Sequence, residues 1–159
     1  MLRTTNYKAK NILILSDIHG NYSALNGVFK NIEWDSVKGM ILLGDLIDYG
    51  PSSNEVIGLL KEYQDIEIYC NIWGNHEQAI MTDAYDKFSS QRGKACAKHI
   101  NPGSVGQPRN HNPAASYAIL NVENEEINFK KVNYDIEAEQ AKFSDKVNEF
   151  YKTRLERGI

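Results

Sequence analysis

The chain has 159 residues, 42% apolar and 25% charged, the composition of an ordinary folded protein with enough apolar mass for one core but hardly for two. A single domain over residues 1–159 is therefore expected, and disordered or collagenous classes are excluded. Eighteen Lys and Arg against 21 Asp and Glu leave a formal charge of −3, which argues against an extended nucleic-acid surface or attraction to anionic lipid.

The opening MLRTTNYKAKNILILSD has a basic flank, but its apolar run stops at Ser16, short of the roughly 7–15 residues of a signal-peptide core. No run approaches the roughly 20 apolar residues that cross a bilayer. Cys70 and Cys96 are too far apart for a CxxC motif and too few for a disulfide framework, so a reducing, cytoplasmic location without membrane contact is expected. Asn11 to Ser16 (NILILS) is a continuous apolar run of the kind buried on both faces of a parallel sheet, and it ends in DIHG. Tyr22, Leu25, Val28, Phe29 and Ile32 at helical spacing predict a helix capped by Asn21 and bounded by Gly39. Met40 to Leu43 predicts a second strand, closed by GDLIDYGP. Ser52 and Glu55 are spaced as a capping box for a helix from Ser53 to Tyr63 that turns Val56, Ile57, Leu59 and Leu60 inward. Gly58 weakens it by roughly 1 kcal/mol relative to Ala.

Ile66, Ile68, Cys70 and Ile72 alternate with polar or amphipathic residues, which predicts a third strand ending in WGNHE. Right-handed crossovers make these strands parallel, so DIHG, GDLID and GNHE open on one edge of the sheet. A helix from Gln78 to Phe88 follows, then SSQRGKACAKH, which carries no clear pattern, and a loop over residues 101–113. Tyr117 to Val122 and Ile127 to Val132 flank the polar turn ENEE and predict an antiparallel hairpin, which would make the sheet mixed. Ile136 to Leu155 reads as one amphipathic helix with Phe143, Val147 and Phe150 on a stripe. The expected fold is α/β, a layered mixed sheet with a βαβαβ core flanked by helices.

Asp17, His19, Asp45, Asp48, Asn75 and His76 all fall at the shared edge. Their donors are oxygen and imidazole nitrogen without thiolate, a set that suits Mn, Fe, Zn or Mg. Carboxylates crowded together raise one another's pKa unless a cation compensates, which argues for bound metal. Each loop alone reads better as turn and cap chemistry, since Asp, Asn and Gly are what such turns use. Three of them at successive strand ends carry the metal reading.

As a set, DIHG (Asp17 to Gly20), GDLID (Gly44 to Asp48) and GNHE (Gly74 to Glu77) resemble the D-x-H, G-D-x-x-D and G-N-H-[DE] motifs of the calcineurin-like metallophosphoesterases. The flanking DIHGNYSALN, GDLIDYGPSSNEVI and NPGSVGQPRN are similar to the bacterial and archaeal phosphodiesterase and phosphatase branch, so the resemblance covers residues 11–83 and about 100–137. It implies a shortened metallophosphoesterase sandwich and metal-dependent hydrolysis of phosphate monoesters or diesters, on a small molecule or nucleotide. By position, Asp17 and His19 would ligate one divalent metal, Asp45 would bridge two, and Asn75 would bind the second. A metal-activated hydroxide would attack phosphorus, and His76 would protonate the leaving oxygen as general acid, its tautomer held by Asp48. Asp48 reads equally as a turn former before Gly50.

Between GNHE and NPGS only Gln78 to Ile100 remain, and this stretch lacks the family's V-H-G and G-H-x-H motifs. An internal deletion of that kind leaves the second metal only Asp45 and Asn75. It supports a second reading, a catalytically impaired or non-catalytic relative that binds one metal or a phosphate ligand. His99 and His111 read as exposed loop histidines, Arg109 as a solvated loop residue before a phosphate fork, and Tyr49 and Trp73 as packing aromatics before base-stacking ones. A nucleotide-binding module ranks last, because no glycine-rich phosphate loop follows strand one. The resemblance implies further strands between GNHE and NPGS, and their loss would open a sheet face or edge and favour a homo-oligomer.

Overall fold

In the computed structural model, which describes residues 9–81 and 103–159, five strands form one mixed sheet. Strand β1 (Asn11–Leu15) lies at its centre, parallel to β2 (Val37–Leu42), and β2 is parallel to β3 (Glu67–Asn71). On its other side β1 pairs antiparallel with β4 (Ala115–Asn121), and β4 with β5 (Glu126–Val132), giving the order β3-β2-β1-β4-β5. The central position explains the unbroken apolar run of β1: Leu13, Ile14 and Leu15 are all buried.

Helix α1 (Tyr22–Lys30) follows β1, with the Asn21 side chain accepting the Ala24 N–H at 3.0 Å. It buries Ala24, Leu25, Val28 and Phe29 against Leu13, Leu15, Met40 and Leu42. A 3₁₀ turn over Trp34–Ser36 then leads into β2. Gly39 is therefore not a boundary but a residue inside β2, where a Cβ would stand 2.0 Å from the Tyr69 ring. Helix α2 (Ser53–Glu62) buries Val56, Leu59 and Leu60, with Ile57 partly buried. Ser52 is its N-cap residue but makes no side-chain capping bond, so the expected capping box does not form. The neighbouring Ser53 hydroxyl instead accepts the Asp48 N–H at 3.2 Å.

The alternation of β3 does not produce a buried face, because the strand lies at the sheet edge. Ile68 and Ile72 are exposed, and only Ile66, before the strand, is buried. Helix α3 (Asn75–Met81) begins three residues earlier than its apolar pattern predicts. The remaining residues of the predicted helix, 82–88, together with SSQRGKACAKH, Cys96 and His99, lie outside the described residues.

The C-terminal segment is two helices instead of one, α4 (Ile136–Gln140) and α5 (Glu149–Arg157). Asp135 and Asn148 each cap their helix with a side-chain oxygen. Between them the Ser144 hydroxyl accepts the Lys146 N–H, and the Ser144 carbonyl accepts the Val147 N–H. Such local bonds offer the backbone an alternative to the helix. The break redirects the stripe: Phe143 is buried, Phe150 is 52% exposed, and α5 buries Arg154 and Leu155.

The Asn21 amide also donates to the Gly106 carbonyl and to the Tyr134 hydroxyl, both at 3.1 Å, tying β1–α1 to the loop before β4 and to the segment after β5. Burial pushes the Tyr134 phenol up to about 12, with the Glu139 charge adding to it against the Asn21 hydrogen bond. The folded value lies above the usual 10.0, so the associated stability is complete below that pH and is lost as pH rises toward 12. A loss on the order of 2–3 kcal/mol is expected across this window. Urea unfolding at a series of pH values should show this limb in the wild type and its removal in Tyr134→Phe.

Candidate metal centre

The loops that follow β1 and β2 are bonded to one another through main chain. Asp17 N–H donates to the Gly44 carbonyl (3.1 Å), His19 N–H to Asp45 (2.8 Å), Gly20 N–H to Leu46 (2.9 Å) and Gly50 N–H to His19 (2.8 Å). Gly44, at φ +87°, approaches Gly74 so closely that a Cβ on it would lie 2.3 Å from the Gly74 nitrogen. No other residue type fits there without moving backbone.

Glu77 joins the second loop to the third. One of its oxygens accepts the N–H groups of Asp45 (2.8 Å) and Gly74 (2.9 Å), and the other those of Leu46 (2.7 Å) and Ile47 (3.3 Å). Glu77 belongs to the GNHE motif, where no role is expected of it from the motif alone. Its signal was present: a Glu at the third helical position that reaches back to the residue before the helix is half of a capping box.

Asp17, His19 and Asp45 each offer a donor atom, all within 4.8 Å of one another. His19 is buried, its Nε2 lies 3.6 Å from Asp17 Oδ1, and its Nδ1 has no hydrogen-bond partner. Burial raises the Asp17 carboxyl, but hydrogen bonds to His19 and Ser16 and the charges of His19 and Arg109 outweigh it and hold Asp17 below its usual value. Burial pushes Asp45 up, and the Asp17 charge adds to this, against the His76 N–H and the charges of His19 and His76. Two facing carboxyls and a buried imidazole with an unpartnered nitrogen fit a divalent cation, and three protein donors match an open metal site.

His76, 4% exposed, has Nδ1 2.8 Å from Asp48 Oδ2. Its backbone N–H donates to Asp45 Oδ1 at 3.1 Å. Burial raises Asp48, but the bonds to His76 and to the Tyr49 N–H outweigh it and leave the carboxyl low. Asn75 opens α3 and is exposed. Asp17, His19, Asp45, Asp48 and Tyr49 all have φ between +49° and +70°. For residues with a Cβ this left-handed conformation costs about 1–2 kcal/mol each, and such strain concentrates at functional sites.

His111 is exposed, and its N–H donates to the Gly158 carbonyl at 2.8 Å, so it anchors the end of α5 and is not among the clustered donors. Arg109 and Trp73 are exposed. The Tyr49 ring packs against the rings of His19 (4.9 Å), His76 (4.5 Å) and Tyr151 (5.9 Å), and the Arg154 guanidinium lies 5.6 Å from its centroid. Tyr151 and Arg154 went unnoticed in the sequence because they lie more than 100 positions from Tyr49 within an apparently solvated helix.

An α/β sheet with acidic and imidazole donors at the carboxyl ends of its parallel strands is the class of architecture that holds ligands at this edge. The calcineurin-like phosphoesterase family model matches residues 10–151, and the chain belongs to that family. A metallophosphoesterase from Sphaerobacter thermophilus superposes with a TM-score of 0.75 at 20% identity, covering 95% of this chain and 100% of that one, which shows the shared fold. The uncharacterized protein MJ0912 of Methanocaldococcus jannaschii is 30% identical over 83 residues, 50% of this chain and 32% of its own length. A symmetrical bis(5'-nucleosyl)-tetraphosphatase of Coxiella burnetii is 32% identical over 77 residues, 48% of this chain and 25% of its own length. The matched region thus spans a third or less of these curated relatives.

Replacing Glu77 by Ala leaves four turn N–H groups without their charged acceptor and is expected to lower the unfolding free energy by about 3 kcal/mol, Glu77→Gln by less. Urea melts of the three proteins check the order.

Proposed function

We propose that this protein is a metal-dependent phosphoesterase that hydrolyses phosphate monoesters or diesters where DIHG, GDLID and GNHE meet. The observation that carries the reading is the buried His76 imidazole, bonded to the exposed Asp48 carboxylate, beside the Asp17–His19–Asp45 donor group. Asp17, His19 and Asp45 would hold the cation, with Asn75 at the start of α3 as a further oxygen donor. The donor set suits Mn, Fe, Zn or Mg. When bound, a divalent cation supplies Lewis acidity toward phosphoryl oxygens and lowers the pKa of coordinated water.

The remaining steps belong to side chains. His76 Nδ1 donates to Asp48, which fixes the tautomer and ring orientation, and the protonated ring gives its Nε2 proton to the leaving oxygen. The Tyr49 ring, packed against both imidazoles, keeps water from their flanks. A second reading, a relative that binds one cation or a phosphate without turnover, is favoured by the single imidazole in the donor group among the described residues. No helix among the described residues is long and apolar enough to cross a membrane, and we assign the activity to the cytoplasm on the two-cysteine composition.

Hydrolysis of 4-nitrophenyl phosphate and its diester, with and without added Mn, tests the reading: Asp45→Ala should abolish metal-dependent turnover. His76→Ala should lower kcat by about 10²–10⁴ while metal content stays unchanged, because a general acid is not a ligand. One bound metal with no turnover would establish the second reading, and loss of metal in His76→Ala would reassign His76.

A further inference from the structure

The main chain of Asp17 is held from two sides. Its N–H donates to the Gly44 carbonyl at 3.1 Å, one of the bonds that join DIHG to GDLID. Its carbonyl accepts two bonds from a segment outside all three motifs, the Gly106 N–H and the Ser104 hydroxyl, each at 2.9 Å. The Val105 N–H donates to the Ser16 carbonyl at 3.0 Å, so residues 104–106 run along the DIHG loop. A Cβ on Gly106 would stand 1.8 Å from the Ile18 carbonyl oxygen, so the two backbones meet without room for a side chain.

The Ser104 hydroxyl is oriented to donate here. It accepts the Gln107 N–H at 2.8 Å, which closes its own turn and leaves its proton directed at Asp17. The Ser104 carbonyl accepts the Ser116 N–H at 3.0 Å, which fastens the turn to the start of β4. This half-buried residue thus ties the sheet to a residue 87 positions earlier in the chain.

Asp17 needs that restraint. Its φ of +51° is a conformation that a residue with a Cβ leaves unless its surroundings over-determine it. Rotation out of it would carry the carbonyl off both donors. The same rotation would swing away the carboxylate, which now offers an oxygen within 4.8 Å of the His19 and Asp45 donors. The bonds to the Asp17 carbonyl and the aim of its carboxylate are therefore set by one backbone torsion.

We propose that Ser104 is a positioning residue for the metal centre, its hydroxyl holding the Asp17 main chain so that the carboxylate faces the site before a cation binds. Groups that orient a ligand without touching the metal govern affinity, because a ligand left free must be ordered during binding. The role rests on the reading of Asp17 as a metal ligand and does not depend on turnover.

Calorimetric titration of Mn²⁺ into the full chain, with urea unfolding of the same proteins, tests it. Ser104→Ala should weaken Mn²⁺ binding roughly ten- to hundredfold, and Ser104→Thr, which keeps the hydroxyl, should recover most of the loss. Ser36→Ala is the control. That hydroxyl also accepts and donates, from Asn11 Nδ2 at 3.1 Å and to the Glu33 carbonyl at 2.7 Å, but it lies before β2, at the opposite end of the strand from GDLID. Its loss should lower stability and leave Mn²⁺ affinity unchanged. The visible spectrum of the Co²⁺-loaded chain, which reports ligand geometry, should change in Ser104→Ala and not in Ser36→Ala. If Ser104→Ala is unfolded by circular dichroism, Ser104→Val carries the comparison, since it matches the shape of Thr without the hydroxyl. Wild-type affinity in a folded Ser104→Ala or Ser104→Val chain, or an equal loss in Ser36→Ala, would overturn the role of Ser104 and leave the metal reading standing. A wild type that binds no Mn²⁺ would overturn both, and Ser104-dependent binding by a chain without turnover would count against the phosphoesterase reading alone.

Discussion

The four N–H groups gathered by the Glu77 carboxylate are the constraint on which the site depends. A tight turn after a buried strand leaves backbone donors that cannot pair within the sheet, and each must find an acceptor. Here one carboxylate answers for Asp45, Leu46, Ile47 and Gly74 together. It thereby fixes the path of the GDLID loop and the start of α3 at once, setting the direction of Asp45 and the position of His76. Charge-assisted hydrogen bonds of this kind are the stronger sort, and they hold through the conformational cost of the loop they shape.

That cost is visible in the backbone. Asp17, His19, Asp45, Asp48 and Tyr49 all occupy a conformation that side-chain-bearing residues avoid. The loops persist in it because they are cross-bonded: His19 to Asp45, Gly20 to Leu46, Gly50 to His19. The bend turns donors from different strands toward one another, bringing Asp17 and Asp45 together despite their mutual repulsion. Their carboxyls respond in opposite directions, Asp17 low and Asp45 high. The difference lies in partners: Asp17 has Ser16, His19 and Arg109, whereas Asp45 faces the Asp17 charge with fewer donors. An arrangement in which one acid is stabilised and its neighbour is not is suited to receiving a cation.

The sheet around this edge is unevenly covered. Its centre, β1 with β2, packs beneath α1 and α2, while the edge strands β3 and β5 present Ile68, Tyr69 and Phe129 to the exterior. On the site side, α5 closes over Tyr49 and contributes the buried Arg154, so a helix remote in sequence shapes the surroundings of the donor group.

Much of the site was legible from the order of residues alone. Two apolar runs and one alternating segment, each closed by a glycine with acidic or imidazole residues and separated by helices, specify parallel strands whose ends share an edge, because crossover handedness allows little else. Asn21 as a helix cap, the β4–β5 hairpin and the group of Asp17, His19 and Asp45 follow from that periodicity and turn chemistry. The edge position of β3, the inclusion of Gly39 in β2, the break between α4 and α5 and the uncapped Ser52 were decided only by the folded chain. Those outcomes depend on which neighbours a segment meets, and local pattern does not encode neighbours. Glu77 and Arg154 show the difference most clearly: the sequence supplies a carboxylate and a guanidinium with no assigned partners. Three-dimensional packing alone places one under a turn from another loop and the other against a tyrosine 105 positions away.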